Sequence, residues 1–400
     1  MDAHFLEFVS LLVRWLHVIA GIAWIGSSFY FIWLDNSLEK PAPDSDEAKK
    51  GVGGELWAVH GGGFYNPQKY LTAPAKLPEN LHWFKWEAYT TWLSGTALLV
   101  LVYWLKAGVM MIDGNVRALT AWQAVGIGAA SMVGSWIVYD LLCKSPLGKR
   151  DNLLGGVVFV LLSVLAWGLA QLLGGRAAFI HVGTAVGTIM AGNVFFVIIP
   201  GQKKMVDAMR AGQVPDPIYG KRGKQRSVHN NYFTLPVIFI MISNHYASTY
   251  GHAYNWLILI LISAAGVLIR HFFNRKHKGV YAWQYPAAGA VLLGVVAWMT
   301  APRVLPLPPV QGEVTFNRVR AIVGARCVQC HAPQPTYPGI TAPQAGVLLH
   351  TSADIVQNAP RIYQQAVASR MMPLGNVTQI TDEERAVLSA WVKAGAKMEP

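Results

Sequence analysis

The sequence has 400 residues, of which 53% are hydrophobic and only 14% charged, against about 25% charged in an ordinary soluble domain; this excludes a wholly soluble globular chain. Three cysteines are too few for a disulfide framework. The net charge of +12 lies in loops between apolar spans, not among aromatics on a polar face, so it reads as membrane topology and not as a nucleic-acid surface.

Apolar segments of the length needed to cross a bilayer fall at 6–33, 89–111, 118–142, 153–175, 177–200, 232–248, 254–271 and 281–301. The expected fold is therefore all-α: a polytopic bundle of eight transmembrane helices over residues 1–301. The first segment, "FLEFVSLLVRWLHVIAGIAWIGSSFYFIWL", is too long for a cleaved leader and has no basic region ahead of it. The loops 35–88, 143–152, 201–231 and 270–280 hold 6, 3, 7 and 4 Lys and Arg, whereas the alternate loops hold 3 in all. The positive-inside rule places the rich set in the cytoplasm and both termini outside a bacterial inner membrane.

Within the first helix, Arg14 precedes His17 by one turn, and Gly21 and Gly26 leave room for a flat group or a close helix. Ionisable side chains within spans are functional hypotheses by default. His17, His181 and His245 form an outer layer that could ligate a b-type haem, with Arg14 meeting a propionate. The competing reading gives these histidines to interhelical hydrogen bonds and Arg14 to the interface.

An inner layer is centred on the long first loop, "GELWAVHGGGFYNPQKYLTAPAKLPENLHWFKWEAYTTWLSG". Its aromatic density argues against disorder. His60, His82, Lys85 and Glu87 are the candidate catalytic residues, offering proton transfer and anion binding to a planar, weakly acidic molecule stacked on Trp or Phe. An interfacial aromatic belt would give the same composition. The later stretch "KRGKQRSVHNNYF" brings His229, Asn230, Asn231 and Tyr232 as further contacts to the same site.

The segment "APRVLPLPPVQGE" reads as an extended spacer at 302–314. It leads to a unit of soluble composition at 315–400 that opens with CVQCH, Cys327 to His331. CxxCH is the attachment pattern of c-type haem: two thiols bond the macrocycle and the histidine becomes an axial iron ligand. "SRMMPLGN" offers Met371 and Met372 as the distal ligand, and Thr381 with Glu384 opens a final amphipathic helix as a capping box. This tail resembles the class I cytochrome c family, in which the distal ligand is commonly a Met followed by Pro; the resemblance implies Met372 as the ligand, with Met371 filling core space.

The first helix, the stretches "LWAVHGGGFYNPQKY", "LHWFKWEAYTTWLSG" and "ISNHYASTYGH", and the terminal CVQCH together resemble the membrane-bound, cytochrome c-fused urate oxidase (urate hydroxylase) family. The resemblance implies oxidation of urate to 5-hydroxyisourate in purine breakdown, with electrons passed to a class I cytochrome c domain and on to a periplasmic cytochrome or terminal oxidase. It implies haem ligation by Cys327, Cys330, His331 and Met372. A cytoplasmic substrate and an outer haem would be separated by a hydrocarbon layer about 30 Å thick, so an intermediate carrier is expected, most simply b haem. The alternative is a non-catalytic subunit that passes electrons from a quinol or another small donor to a periplasmic acceptor.

Overall fold

A computed structural model describes residues 3–301, 306–338, 340 and 342–398, so the first four positions of the expected spacer lie outside the described residues. The fold is mostly helical. Helix α1 spans Ala3–Ser37. After two small antiparallel ribbons come α2 (Trp86–Leu98), α3 (Ala121–Lys144), α4 (Asp151–Ala170) and α5 (Gly175–Arg210). The bundle is completed by α6 (Pro217–Ser243), α7 (Asn255–Lys276) and α8 (Gln284–Met299).

All eight segments expected to be helical contain helix, but among the described residues five helices are by length and composition suited to cross a membrane: Glu7–Ser37, Ala121–Lys144, Asp151–Ala170, Gly175–Arg210 and Asn255–Lys276. The other three differ for identifiable reasons. Helix α2 gives way after 13 residues to a wide π-type turn at Leu99–Trp104. The first half of α6 carries the polar run Lys221–Asn231. Helix α8 has 16 residues, about 24 Å at 1.5 Å per residue. Outward faces carry large apolar side chains such as Trp15, Ile22, Leu141 and Val160, a surface suited to lipid and costly in water.

Helix α5 is the centre of the bundle. Its most apolar window is 61% buried, against 6% for α1, and α3, α4 and α6 pack around it. Small residues permit this closeness: a Cβ at Gly183 would stand 2.5 Å from Ile240, and one at Gly192 would stand 2.6 Å from Trp136. Lys224 pairs with Asp35, Gln225 donates to Asp151, and Asn36 donates to the Asn274 carbonyl. The Lys- and Arg-rich loops thus gather at one end of the bundle, called here the basic end.

The first loop departs from an all-α expectation. Val52–Glu55 (β1) pairs with Gln68–Tyr70 (β4), and Ala58–His60 (β2) pairs with Gly63–Tyr65 (β3) through a turn at Gly61 and Gly62, both at positive φ. The glycine run therefore makes a hairpin tip.

The C-terminal unit contains α9 (Phe316–Arg326), α10 (Ser352–Gln357), a short helix at Ala359–Ile362 that widens through Ala368, and α11 (Asp382–Lys393). The expected capping box is formed at α11 between Thr381 and Glu384. Val319, Val323, Ile355, Leu388 and Trp391 make a core separate from that of the bundle. Leu388 is fully buried there. Leu388→Ala should cost about 2–5 kcal/mol in this unit alone, read as faster proteolysis of residues 316–398 while the bundle stays resistant.

Candidate functional site

A cleft of about 1260 Å³ lies between α3, α4, α5, α6 and α7. Its mouth lies at the basic end, among Lys149, Lys204 and Arg222, and its far wall reaches Val182 and Leu259. One end is polar and the other apolar.

At the polar end Asp140, Arg226 and His229 line the cleft, and Tyr139, Asn193 and Asn230 hold them from behind. Arg226 on α6, 3% exposed, donates to Asp140 of α3 at 2.7 Å and to Asn193 of α5 at 3.1 Å. Its guanidinium also lies 4.8 Å from the centre of the Tyr139 ring, a cation–π placement. Asn193 donates to the Tyr139 hydroxyl at 3.2 Å and to Asn230 Oδ1 at 2.8 Å. The Tyr139 hydroxyl and His229 Nδ1 stand 2.7 Å apart; where the hydroxyl is the donor, His229 carries its N–H at Nε2.

Tyr139, Asp140 and Asn193 share this cluster because α5 opens into a wide π-type turn at Asn193–Ile198. Such turns recur at functional sites. A second Tyr–His pair lines the same cleft: the Tyr232 hydroxyl and His271 Nδ1 are 2.7 Å apart, with their rings stacked.

The residues expected from the first loop are not gathered around one cavity. His60 is exposed on β2. His82 is exposed against the Phe84 ring, 4.5 Å between centroids, and lines a shallow pocket of about 270 Å³ with α5 residues such as Gln202 and Met205. Neither that pocket nor the cleft is lined by His60, Lys85 or Glu87. Lys85 lies over the Trp86 ring at 5.4 Å, and Glu87 has one buried oxygen without a hydrogen-bond partner.

The outer-layer histidines also go elsewhere. His17 Nδ1 is 3.0 Å from the Thr91 carbonyl and 3.1 Å from Ser94 Oγ. His181 is 0% exposed; its Nδ1 lies 2.8 Å from the Ala177 carbonyl, and Trp104 Nε1 donates to its Nε2 at 3.1 Å. A Cβ built on Gly128 would stand 2.5 Å from that Nε2. No flat macrocycle fits between them, so His181 does not suit a haem in this packing. His245 and Arg14 are exposed, and none of these four lines the cleft. They act as interhelical and surface residues here.

The CVQCH stretch suits its expected ligand better. Cys330 N and His331 N both donate to the Cys327 carbonyl, at 3.1 and 3.0 Å, so the three residues form one turn with i, i+3, i+4 spacing on one face. His331 Nδ1 lies 3.0 Å from the Val347 carbonyl; donation there leaves Nε2 as the ligating nitrogen. Cys327 and Met372 pack against the same core. One small unit thus carries the two thiols that a c-type haem would need for attachment and the imidazole and thioether that could ligate its iron. Burial pushes the Cys327 thiol up to about 12, and raises Cys330 as well; burial lowers His331, keeping its imidazole neutral.

Arg226, Tyr139, Asp140 and Asn193 escaped the sequence reading, although His229, Asn230 and Tyr232 entered it as accessories. The available signal was polarity within apolar segments: Asp140 in 118–142 and Asn193 in 177–200.

Residues 3–301 match the family model described as Urate oxidase N-terminal. No curated protein and no solved structure matches the chain.

Two outcomes test this geometry. Asp140→Ala removes the counter-ion of a buried guanidinium and should destabilise the bundle by about 3–5 kcal/mol; an Asp140→Ala, Arg226→Met double variant should regain part of the lost thermal midpoint. In haem-free protein near pH 8, Cys330 should be alkylated before Cys327, because the higher pKa of Cys327 leaves it less thiolate; mass mapping after timed iodoacetamide treatment gives the order.

Proposed function

The chain belongs to the urate oxidase N-terminal family, and from that premise we propose that it is a membrane-bound oxidoreductase converting urate to 5-hydroxyisourate. Urate and water yield 5-hydroxyisourate, two protons and two electrons. The electrons go to a c-type haem in residues 315–400, not directly to oxygen, so hydrogen peroxide is not a product. A periplasmic cytochrome or terminal oxidase then takes them onward. In this reading residues 1–301 are the eight-helix inner-membrane body, 302–314 the spacer and 315–400 a periplasmic class I cytochrome c domain, with both termini periplasmic.

The family match over the helical body carries the reading; the cleft supplies a place for the chemistry. Urate is planar, anionic and rich in N–H and C=O groups. We place it between the two Tyr–His pairs and not in the first loop, because the cleft joins positive charge, directed donors and apolar walls. Arg226 and the basic mouth attract the anion, and His229 Nε2–H donates to one of its oxygens. The Tyr232–His271 pair accepts a proton at His271 as charge leaves the ring. The apolar walls exclude bulk water and strengthen these interactions.

Cys327 and Cys330 would attach the haem and His331 and Met372 would ligate its iron; when bound, it would supply one-electron acceptance, with thioether ligation favouring a higher potential. No step is assigned to b haem, since His181 lacks room for one. The cleft ends at Val182, seven residues from Gly175, about 10 Å of helix rise, so a bound ring is not confined to the basic end.

A second reading is favoured by the apolar far half of the cleft. Leu162, Val186, Ile240 and Leu259 would suit the isoprenoid chain of a quinol whose headgroup meets the Tyr–His pairs, making the protein a quinol-linked electron-transfer subunit.

An anaerobic visible spectrum of detergent-purified protein separates the two. Urate should produce the reduced c-type band, with dithionite defining full reduction. His229→Ala should lose at least 90% of the urate-driven rate (about 1.4 kcal/mol per factor of ten) while keeping dithionite reduction, and His60→Ala should keep both. Reduction by a quinol analogue but not by urate would replace the oxidase reading with the second one.

A further inference from the structure

Two adjacent methionines face different cores. Met371 packs against the bundle cluster that contains Met111 and Tyr250. Met372 packs against the core of the C-terminal unit, with Cys327.

The seat of Met371 is made by a glycine. A Cβ built on Gly251 would stand 1.8 Å from Met371 Sδ and 2.8 Å from the Ala247 carbonyl, so any side chain there would expel the thioether. A second contact follows at Gly375, whose φ is +55° and whose Cβ position is 3.5 Å from the Ile112 carbonyl and 3.6 Å from the Asp113 Cα. The loop therefore rests on the bundle at two points, in the 111–113 turn and beside the short helix Ala247–Tyr250.

From the other side the same loop is held by the C-terminal unit. Met372 N donates to the Gln365 carbonyl at 2.9 Å. Arg385, 4% exposed, donates to the Met372 carbonyl at 3.1 Å and to the Ala366 carbonyl. The backbone of Met372 is thus fixed by its own unit, and the side chain beside it by the bundle.

We infer that seating of Met371 against Gly251 positions Met372, so that the helical bundle sets how firmly the C-terminal unit presents its distal haem ligand. The inference rests on the reading that residues 315–400 carry a c-type haem ligated by Met372. Thioether ligation raises the haem potential; a loop released from the bundle spends time with the thioether withdrawn, and its average potential falls. Met371 is a positioning residue. Any change that unseats it, including movement of the Ala247–Tyr250 helix, reaches the electron acceptor through this loop.

The test uses full-length, haem-loaded protein in detergent. Three quantities are read: the far-red band of methionine-to-ferric-iron charge transfer, the midpoint potential, and amide exchange at Met372. Met371→Ala and Gly251→Val attack the contact from opposite sides. Both should weaken the band, lower the midpoint potential and speed exchange at Met372, with covalent haem content unchanged; Met372→Ala defines complete loss of the band. Wild-type band, potential and exchange in both contact variants would overturn the inference and leave the ligand reading standing. A band that survives Met372→Ala would overturn the ligand reading itself, and if Met371→Ala abolishes that band, Met371 is the ligand and both fall.

Discussion

A guanidinium held among apolar helices costs several kcal/mol unless a counter-ion and acceptors are built around it, and Arg226 draws them from two neighbouring helices. Asp140 supplies charge from α3 and Asn193 supplies an acceptor from α5. Meeting this demand fixes the mutual placement of three helices at the basic end. It also orients Tyr139, whose hydroxyl receives from Asn193 and lies 2.7 Å from His229 Nδ1. The packing constraint and the polarity of the cleft wall are one arrangement. The wide turn at Asn193–Ile198 lets α5 deliver an amide to that point while its preceding residues stay close-packed against α3 and α6.

The opposite end of the bundle follows a different rule, in which absent side chains matter most. A Cβ at Gly175 would lie 1.9 Å from the Tyr250 carbonyl, and Gly251 yields its side-chain volume to Met371. Tyr250 is buried and receives a hydrogen bond from Arg176 at 2.9 Å. Close backbone approach therefore makes the surface on which the C-terminal unit rests. The polar cleft and this junction share α5, a continuous helix from Gly175 to Arg210.

Much of the architecture was legible because apolar length and capping chemistry are local properties. The eight helical segments, the Thr381–Glu384 box and the CVQCH turn all follow from neighbours in the chain. Helix interruptions were less legible: the wide turn after Leu98 and the polar first half of α6 change how much of each helix can face lipid. The first loop was less legible for a related reason. Its histidines, lysine and glutamate are close in sequence, but His60 sits exposed on a ribbon and does not line the shallow pocket that His82 lines. The packing around His181, against Trp104 and the backbone of Gly128, was likewise not legible, because it joins residues from three separate segments.

The sequence by itself determined the class of protein, the helical segments, the concentration of positive charge in alternate loops, and the thiol–thiol–imidazole set at Cys327, Cys330 and His331. These depend on composition or on residues within one helical turn. Only the tertiary structure decided that Arg226, Asp140 and His229 line the cleft with Asn193 and Tyr139 bonded behind them, and that Met371 and Met372 belong to different cores. Those relations join residues far apart in the chain, and the free energy of a buried charge or a filled cavity depends on what surrounds it in space.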